Sequence, residues 1–216
     1  MAEASAETIE IALIGAQRPW VVEGDRFVRS GKWSAGRFSL GRKLTGMRAG
    51  IIGLGRIGIE IARRLEGFKC DIGYVDPLPR DVSYRSYGDA VALARDSDIL
   101  FLAAAGGPKG QGAPIINRAI IEALGPRGIF VNVARGWLVD EPALVEALTS
   151  GKLGAAGLDV FYDEPKVPEE LIALDNVVLT PHIASSTEET AKAMGDCVVD
   201  NLVSWFEGRG ALNPVT

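Results

Sequence analysis

The sequence predicts an α/β fold, a doubly wound parallel sheet of six or seven strands with flanking N- and C-terminal helices. Three observations predict it. Short apolar runs recur from residue 48 to residue 181, and segments with helical spacing separate them. Most of the runs are continuously apolar rather than alternating, which is the pattern of strands buried on both faces. Glycines fall at the ends of the runs, where tight turns and close backbone approach need them.

The elements follow in order. Ile9, Leu13, Ile14, Val21 and Val22 lay an apolar stripe along residues 6–30, which reads as helix, and Pro19 breaks it into two pieces. Residues 31–46, GKWSAGRFSLGRKLTG, are glycine-rich, polar and basic and read as a connecting arm. Six strand-like runs come next: RAGIIGL (48–54), CDIGYVD (70–76), DILFLAA (98–104), GIFVNVA (128–134), GAAGLDV (154–160) and NVVLTP (176–181). Between them lie the helical segments RIGIEIARRLEGF, YGDAVALARDS, NRAIIEAL, EPALVEALTSG and PEELIAL. A short extra strand is expected near DVSYRSY (81–87). Residues 187–207 read as a long helix, with Ser186 or Thr187 as N-cap and Glu188 and Glu189 in its first turn. The chain thus divides into N-terminal helices and arm (1–44), an alternating strand–helix domain (45–187) and a C-terminal helix and tail (188–216).

Composition narrows the function. Hydrophobic residues at 47% and charged residues at 24% are ordinary for a globular protein. A net charge of −5 argues against a nucleic-acid binder. Cys70 and Cys197 lie far apart, match no metal spacing and read as reduced thiols, so no metal is expected. The acidic N-terminus lacks the basic region of a secretory signal, and no apolar run approaches the roughly 20 residues of a membrane span, so a cytoplasmic protein without a membrane partner is expected.

The first strand runs into Gly53-Leu54-Gly55-Arg56-Ile57-Gly58, the GxGxxG spacing of dinucleotide binding. The first glycine allows a tight turn, the second lets backbone approach a pyrophosphate, and the third packs helix on strand. The helix start then offers N–H groups and partial positive charge to phosphate. With 26 glycines in 216 residues, roughly 0.4 matches arise by chance, so context carries the reading. A strand precedes the motif, a helix follows, and Asp76 ends the second strand where a carboxylate holds the adenosine ribose hydroxyls. That carboxylate repels a 2′-phosphate, so NAD is favoured over NADP, with Arg80 four residues on blunting the preference.

IIGLGRIG, VNVARGWLVDEPAL, AGLDVFYDEP and TPHIASSTEET, in this order, resemble the D-isomer-specific 2-hydroxyacid dehydrogenases, and among them the glyoxylate and hydroxypyruvate reductases. The resemblance runs from about residue 7 to residue 215 and implies an NAD(P)-binding Rossmann fold. It implies that Arg135 holds the substrate carboxylate and carbonyl, that His182 is the acid/base, and that Glu164 pairs with it. It also implies coenzyme contacts from Ala104, Val133, Ala134, Asp159 (facing the nicotinamide), His182 and Ala184, and a homodimer joined through the nucleotide-binding domain with the DRFVRSGKW arm.

Chemistry agrees with these residue types. Reduction of a 2-keto acid needs hydride at carbon, which nicotinamide supplies, and a proton at oxygen. A guanidinium such as Arg135 grips a carboxylate in two-pronged fashion. His182 is the only histidine; an unperturbed imidazole changes charge near working pH, which suits the proton task, and a neighbouring carboxylate favours the charged form. Taken singly, such a histidine more often packs, Arg135 could cap a helix or pair with a surface acid, and Glu164 before Pro165 could be a turn residue. Three matched groups, each just past a strand of one sheet, favour the functional reading.

The sequence departs from the family in two places. LAAAGGPKGQGAP (102–114) is a glycine-rich version of a stretch that varies in the family. The substrate-side domain of full members, built mainly from an N-terminal segment, has no counterpart, and helix 188–216 is expected to pack on it. Two expectations follow: an NAD-dependent reductase of small 2-keto acids, or a coenzyme-binding module with little turnover. A non-enzymatic partner protein of the corepressor kind is disfavoured by the intact Arg135, Glu164 and His182.

Overall fold

The computed structural model describes residues 20–214. Of the stripe expected along residues 6–30, the part before residue 20 and the break at Pro19 lie outside the described residues; the rest is helix α1 (Trp20–Arg29). A 3₁₀ turn over Lys32–Ser34 begins the arm, which buries little: Trp33 is 69% and Leu40 87% exposed.

Strands and helices then alternate. They are β1 (Arg48–Ile52), α2 (Arg56–Gly67), β2 (Asp71–Val75), β3 (Arg85–Ser86), α3 (Ala90–Asp96), β4 (Ile99–Leu102) and α4 (Arg118–Leu124). After them come β5 (Ile129–Asn132), α5 (Glu141–Thr149), β6 (Ala155–Leu158), α6 (Glu169–Ile172), β7 (Val177–Leu179) and α7 (Glu188–Phe206). All six neighbouring pairs of the seven-stranded sheet are parallel, in the order β3-β2-β1-β4-β5-β6-β7. The order reverses at β1, between β2 and β4, which is where a doubly wound sheet opens a crevice at its carboxyl edge.

The continuous apolar runs are explained by two separate cores. Along β4, Ile99 and Phe101 face one layer with α2, while Leu100 and Leu102 face the other with α3, α4 and α5. Every β4 residue is therefore buried, as a two-sided sheet requires. Ile61 and Leu65 of α2 fill the first layer; Leu93, Ile120, Leu124, Leu144 and Leu148 fill the second.

Helix starts are fixed by side chains. Asp89, Asn117, Asp140 and Thr187 each accept a backbone N–H in the first turn of α3, α4, α5 and α7. Helix α7 packs differently from the rest. Thr190 and Ser204 are its buried residues, while Met194, Val198, Val199, Leu202, Trp205 and Phe206 are exposed.

Candidate active site

The carboxyl edge of the sheet carries a cleft of 760 Å³, lined from the ends of β1, β2, β4 and β5. The glycine turn forms its floor. Gly53 has φ 92°, and a Cβ there would stand 2.5 Å from the Ala104 Cα; a Cβ on Gly58 would stand 2.1 Å from the Gly53 carbonyl oxygen. Both positions are closed to side chains. Nothing lies within 4 Å of the Cβ position at Gly55, which leaves room for a ligand to approach the backbone. Gly55 is also the N-cap of α2 and supplies no side-chain cap, so the first N–H groups of that helix are left for an anion.

Asp76 follows β2 and is 4% exposed at its side chain. It accepts from the N–H groups of Leu54 at 2.8 Å and Leu78 at 2.9 Å and from Arg80 Nη2 at 2.9 Å. Burial pushes its pKa up, but the two N–H groups and the guanidinium outweigh that and hold it below the usual carboxylate range. The Nε of Arg80 is buried without a hydrogen-bond partner. Arg80 and Arg56 both line the cleft at this end. A carboxylate neutralised by Arg80 repels a phosphate less than the bare acid read from the sequence.

At the other end stand the groups read as catalytic. Arg135 is the residue before the 3₁₀ turn that follows β5. Asn132, at the end of β5, shapes its turn: the side chain accepts from Ala134 N–H at 3.0 Å and donates to the Arg135 carbonyl at 3.2 Å. Gly136 brings this turn against the loop after β6, for a Cβ on it would lie 1.9 Å from the Phe161 carbonyl carbon. That loop bears Glu164. Its Oε1 accepts the Phe161 N–H at 3.1 Å and its Oε2 stands 2.8 Å from His182 Nδ1. Burial pushes the Glu164 carboxyl up, but the bonds from His182 and Phe161 and the charges of His182 and Arg135 together hold it below its ordinary range. The two side chains keep solvent access, 46% for His182 and 35% for Glu164.

His182 has φ 53°, in the left-handed region. Its N–H donates to the carbonyls of Asp159 at 2.9 Å and Thr180 at 3.0 Å. Asp159 sets this turn from beneath. It is 2% exposed and accepts from Thr180 Oγ1 at 2.7 Å and from the N–H groups of Ile183 at 2.8 Å and Ala184 at 2.9 Å. The residue read as facing the nicotinamide thus engages both of its oxygens within the protein.

Of the residues read as coenzyme contacts, Gly53, Gly55, Arg56, Ile57, Asp76, Ala104, Val133 and Ala134 line the cleft, and Arg135 lines it with them. Leu54, Gly58, Asp159, His182 and Ala184 lie outside its lining. Gly106, beside Ala104, lines it too, and Ala103, Ala105 and Ile115, not singled out by motif, add to it. Only their place after the third apolar run hinted at this. Among the described residues no group of three or more histidine, cysteine or carboxylate side chains could hold a metal ion, and no helix is long and apolar enough to cross a membrane.

An open helix start over a glycine turn, at the reversal point of a parallel sheet, defines a dinucleotide-binding domain. Residues 11–184 match the family described as D-isomer specific 2-hydroxyacid dehydrogenase, NAD binding domain. The chain belongs to this family. It is 50% identical to a hydroxyphenylpyruvate reductase of Plectranthus scutellarioides and 49% identical to glyoxylate/hydroxypyruvate reductase A of Arabidopsis thaliana. Each match covers 96% of this chain and 66% of the relative, so the chain spans about two thirds of their length. A crystal structure of an NADPH-dependent glyoxylate/hydroxypyruvate reductase from Sinorhizobium meliloti, in complex with NADP and malonate, superposes with a TM-score of 0.92 at 40% identity. It covers all of this chain and 68% of that one.

Proposed function

We propose that this protein is an oxidoreductase that reduces small 2-keto acids such as glyoxylate or hydroxypyruvate with NAD(P)H. The single observation that carries this reading is the 2.8 Å Glu164–His182 pair beside Arg135, at the edge that also bears the nucleotide cleft. Nicotinamide, when bound, supplies the hydride. The residues of this chain do the rest. Arg135 binds the carboxylate and polarises the carbonyl. His182, held by Glu164 at Nδ1, carries the proton at Nε2 to the carbonyl oxygen in reduction and removes it in oxidation. Asp159 fixes the turn that aims the ring.

We infer that both coenzymes bind, NAD through Asp76 and NADP through Arg80, because the carboxylate is already neutralised by that arginine. We further infer a cytoplasmic homodimer joined through the arm, where Trp33 and Leu40 are exposed. The exposed apolar face of α7 fits packing against the further third of length that the relatives possess.

The test has two readings on one sample. NADH and NADPH binding is titrated by fluorescence, and coenzyme consumption is then followed with hydroxypyruvate and with glyoxylate. Binding with turnover is the expected result. Binding without turnover would reduce the chain to a coenzyme-binding module, and no binding would overturn the proposal.

A further inference from the structure

The segment between β4 and α4, residues 103–117, forms one wall of the nucleotide cleft through Ala103, Ala104, Ala105 and Gly106. Its continuation, through Gly107, Gly110, Gln111 and Gly112, lines a second cavity of 400 Å³ together with Trp137 and Tyr162. This strap therefore borders one open volume and then another along its length. Its composition does not stiffen it: Gly106, Gly107, Gly110 and Gly112 fall within seven positions, and Gly110 and Gly112 have φ of 80° and 88°. Its middle has one backbone turn of its own, from Gln111 N–H to the Pro108 carbonyl at 3.1 Å.

Two side chains reach across to hold it. Lys109 meets Asp163 at 3.2 Å and lies 4.7 Å from the Tyr162 ring centre, but this pair is well exposed and screened by water. Trp137 is better placed. Its indole Nε1–H donates to the Gly107 carbonyl at 3.0 Å. A Cβ on the neighbouring Gly106 would stand 2.9 Å from Arg135 Cγ and 3.5 Å from Trp137 Nε1. The Gly106–Gly107 peptide is thus clamped between the stem of Arg135 and the indole two residues later, both on the turn that follows β5.

We propose that Trp137 is a positioning residue that latches the glycine strap against Arg135 and so fixes the wall of the coenzyme cleft and the guanidinium together. It lies outside the lining of the coenzyme cleft and acts through Gly107 and Arg135. Its functional half rests on the reductase reading above. Losing the N–H frees a glycine-rich segment that borders a cavity.

The test compares the whole protein with Trp137→Phe, which keeps an aromatic ring and deletes the donor. Amide exchange in residues 103–114 is expected to rise about tenfold, with the sheet strands unchanged. NADPH affinity by fluorescence is expected to fall about threefold to tenfold, and the KM for hydroxypyruvate to rise by a similar factor with kcat nearly constant. A merely structural tryptophan would instead raise exchange across β4, β5 and α5 together. Gly106→Ala perturbs the same clamp from the other side, with the indole intact, and is expected to raise the keto-acid KM. Unchanged exchange in Trp137→Phe overturns the latch. Raised exchange with unchanged affinity and KM overturns its role in positioning. Wild-type protein that binds no coenzyme overturns the reductase reading, while the exchange measurement still decides the latch.

Discussion

The two edges of the sheet expose their charged groups to different degrees. At the amino edge, Asp98 leads into β4 and accepts from the Arg48 N–H at 3.0 Å, Arg48 Nε at 3.2 Å and Arg42 Nη2 at 3.0 Å. Burial pushes its pKa up, but the Arg48 and Arg42 bonds overcome this and hold it down at about 2. The carboxylate ties β1, β4 and the arm, and Arg42 also donates to the Arg127 carbonyl at 2.8 Å. At the carboxyl edge, Arg135, Glu164 and His182 stand at loop ends, half open to solvent, beside a helix start that no side chain caps. At the amino edge the charge is satisfied within the protein and stabilises it; at the carboxyl edge Asp76 and Asp159 are bonded internally too, while Glu164 and His182 keep solvent access at 35% and 46%. The parallel arrangement makes this division natural, because the loops leaving the carboxyl ends enter helices whose N-termini attract anions.

The comparison can be broken at either edge. The largest effect is expected for His182→Asn, since asparagine tolerates the left-handed backbone there. Turnover should fall about a thousandfold, while coenzyme affinity and the unfolding midpoint stay close to wild type. Steady-state kinetics beside a denaturant melt reads both. Next comes Asp98→Asn, with the reverse signature: a loss of about 2 kcal/mol at neutral pH and unchanged coenzyme affinity. The sign follows from the depressed pKa. The stabilisation is complete above the ordinary carboxylate value near 3.8 and disappears as pH falls towards 2, so the variant should flatten the stability curve in that window. Urea melts from pH 7 to pH 2 check this.

Smaller effects sharpen the picture. Arg80→Ala should weaken NADPH binding about tenfold and NADH binding less than about twofold, read by fluorescence titration. Equal losses for both coenzymes would remove Arg80 from coenzyme choice. Thr187→Ala deletes the N-cap of α7 and should cost about 1 kcal/mol in a thermal melt without changing coenzyme affinity.

The contrast between edges also marks what the sequence could reveal. Strand positions were legible because burial on both faces leaves continuous apolar runs, as in Ile99–Leu102, and even the short β3 falls within the DVSYRSY stretch. The cap of α7 was legible as Ser186 or Thr187 because capping is local chemistry, and the structure selects Thr187. Glu164 and His182 could each be located at a strand end, yet their 2.8 Å approach depends on how two loops meet. The roles of Asp98, Asp159 and Trp137 left no local trace. Each is defined by partners distant in the chain: Arg48 for Asp98, Ile183 for Asp159, Gly107 for Trp137. The Arg80 ion pair was four residues away from Asp76 and so within sight, whereas its effect on the carboxylate needed the buried geometry.

The most direct test of the account is the pH dependence of the wild-type protein in both directions, hydroxypyruvate reduction and 2-hydroxy acid oxidation, measured on one preparation. Reduction draws on the protonated ring of His182 and oxidation on the neutral one, so the optimum for oxidation should lie at higher pH than that for reduction. Coincident optima would contradict His182 as the proton carrier.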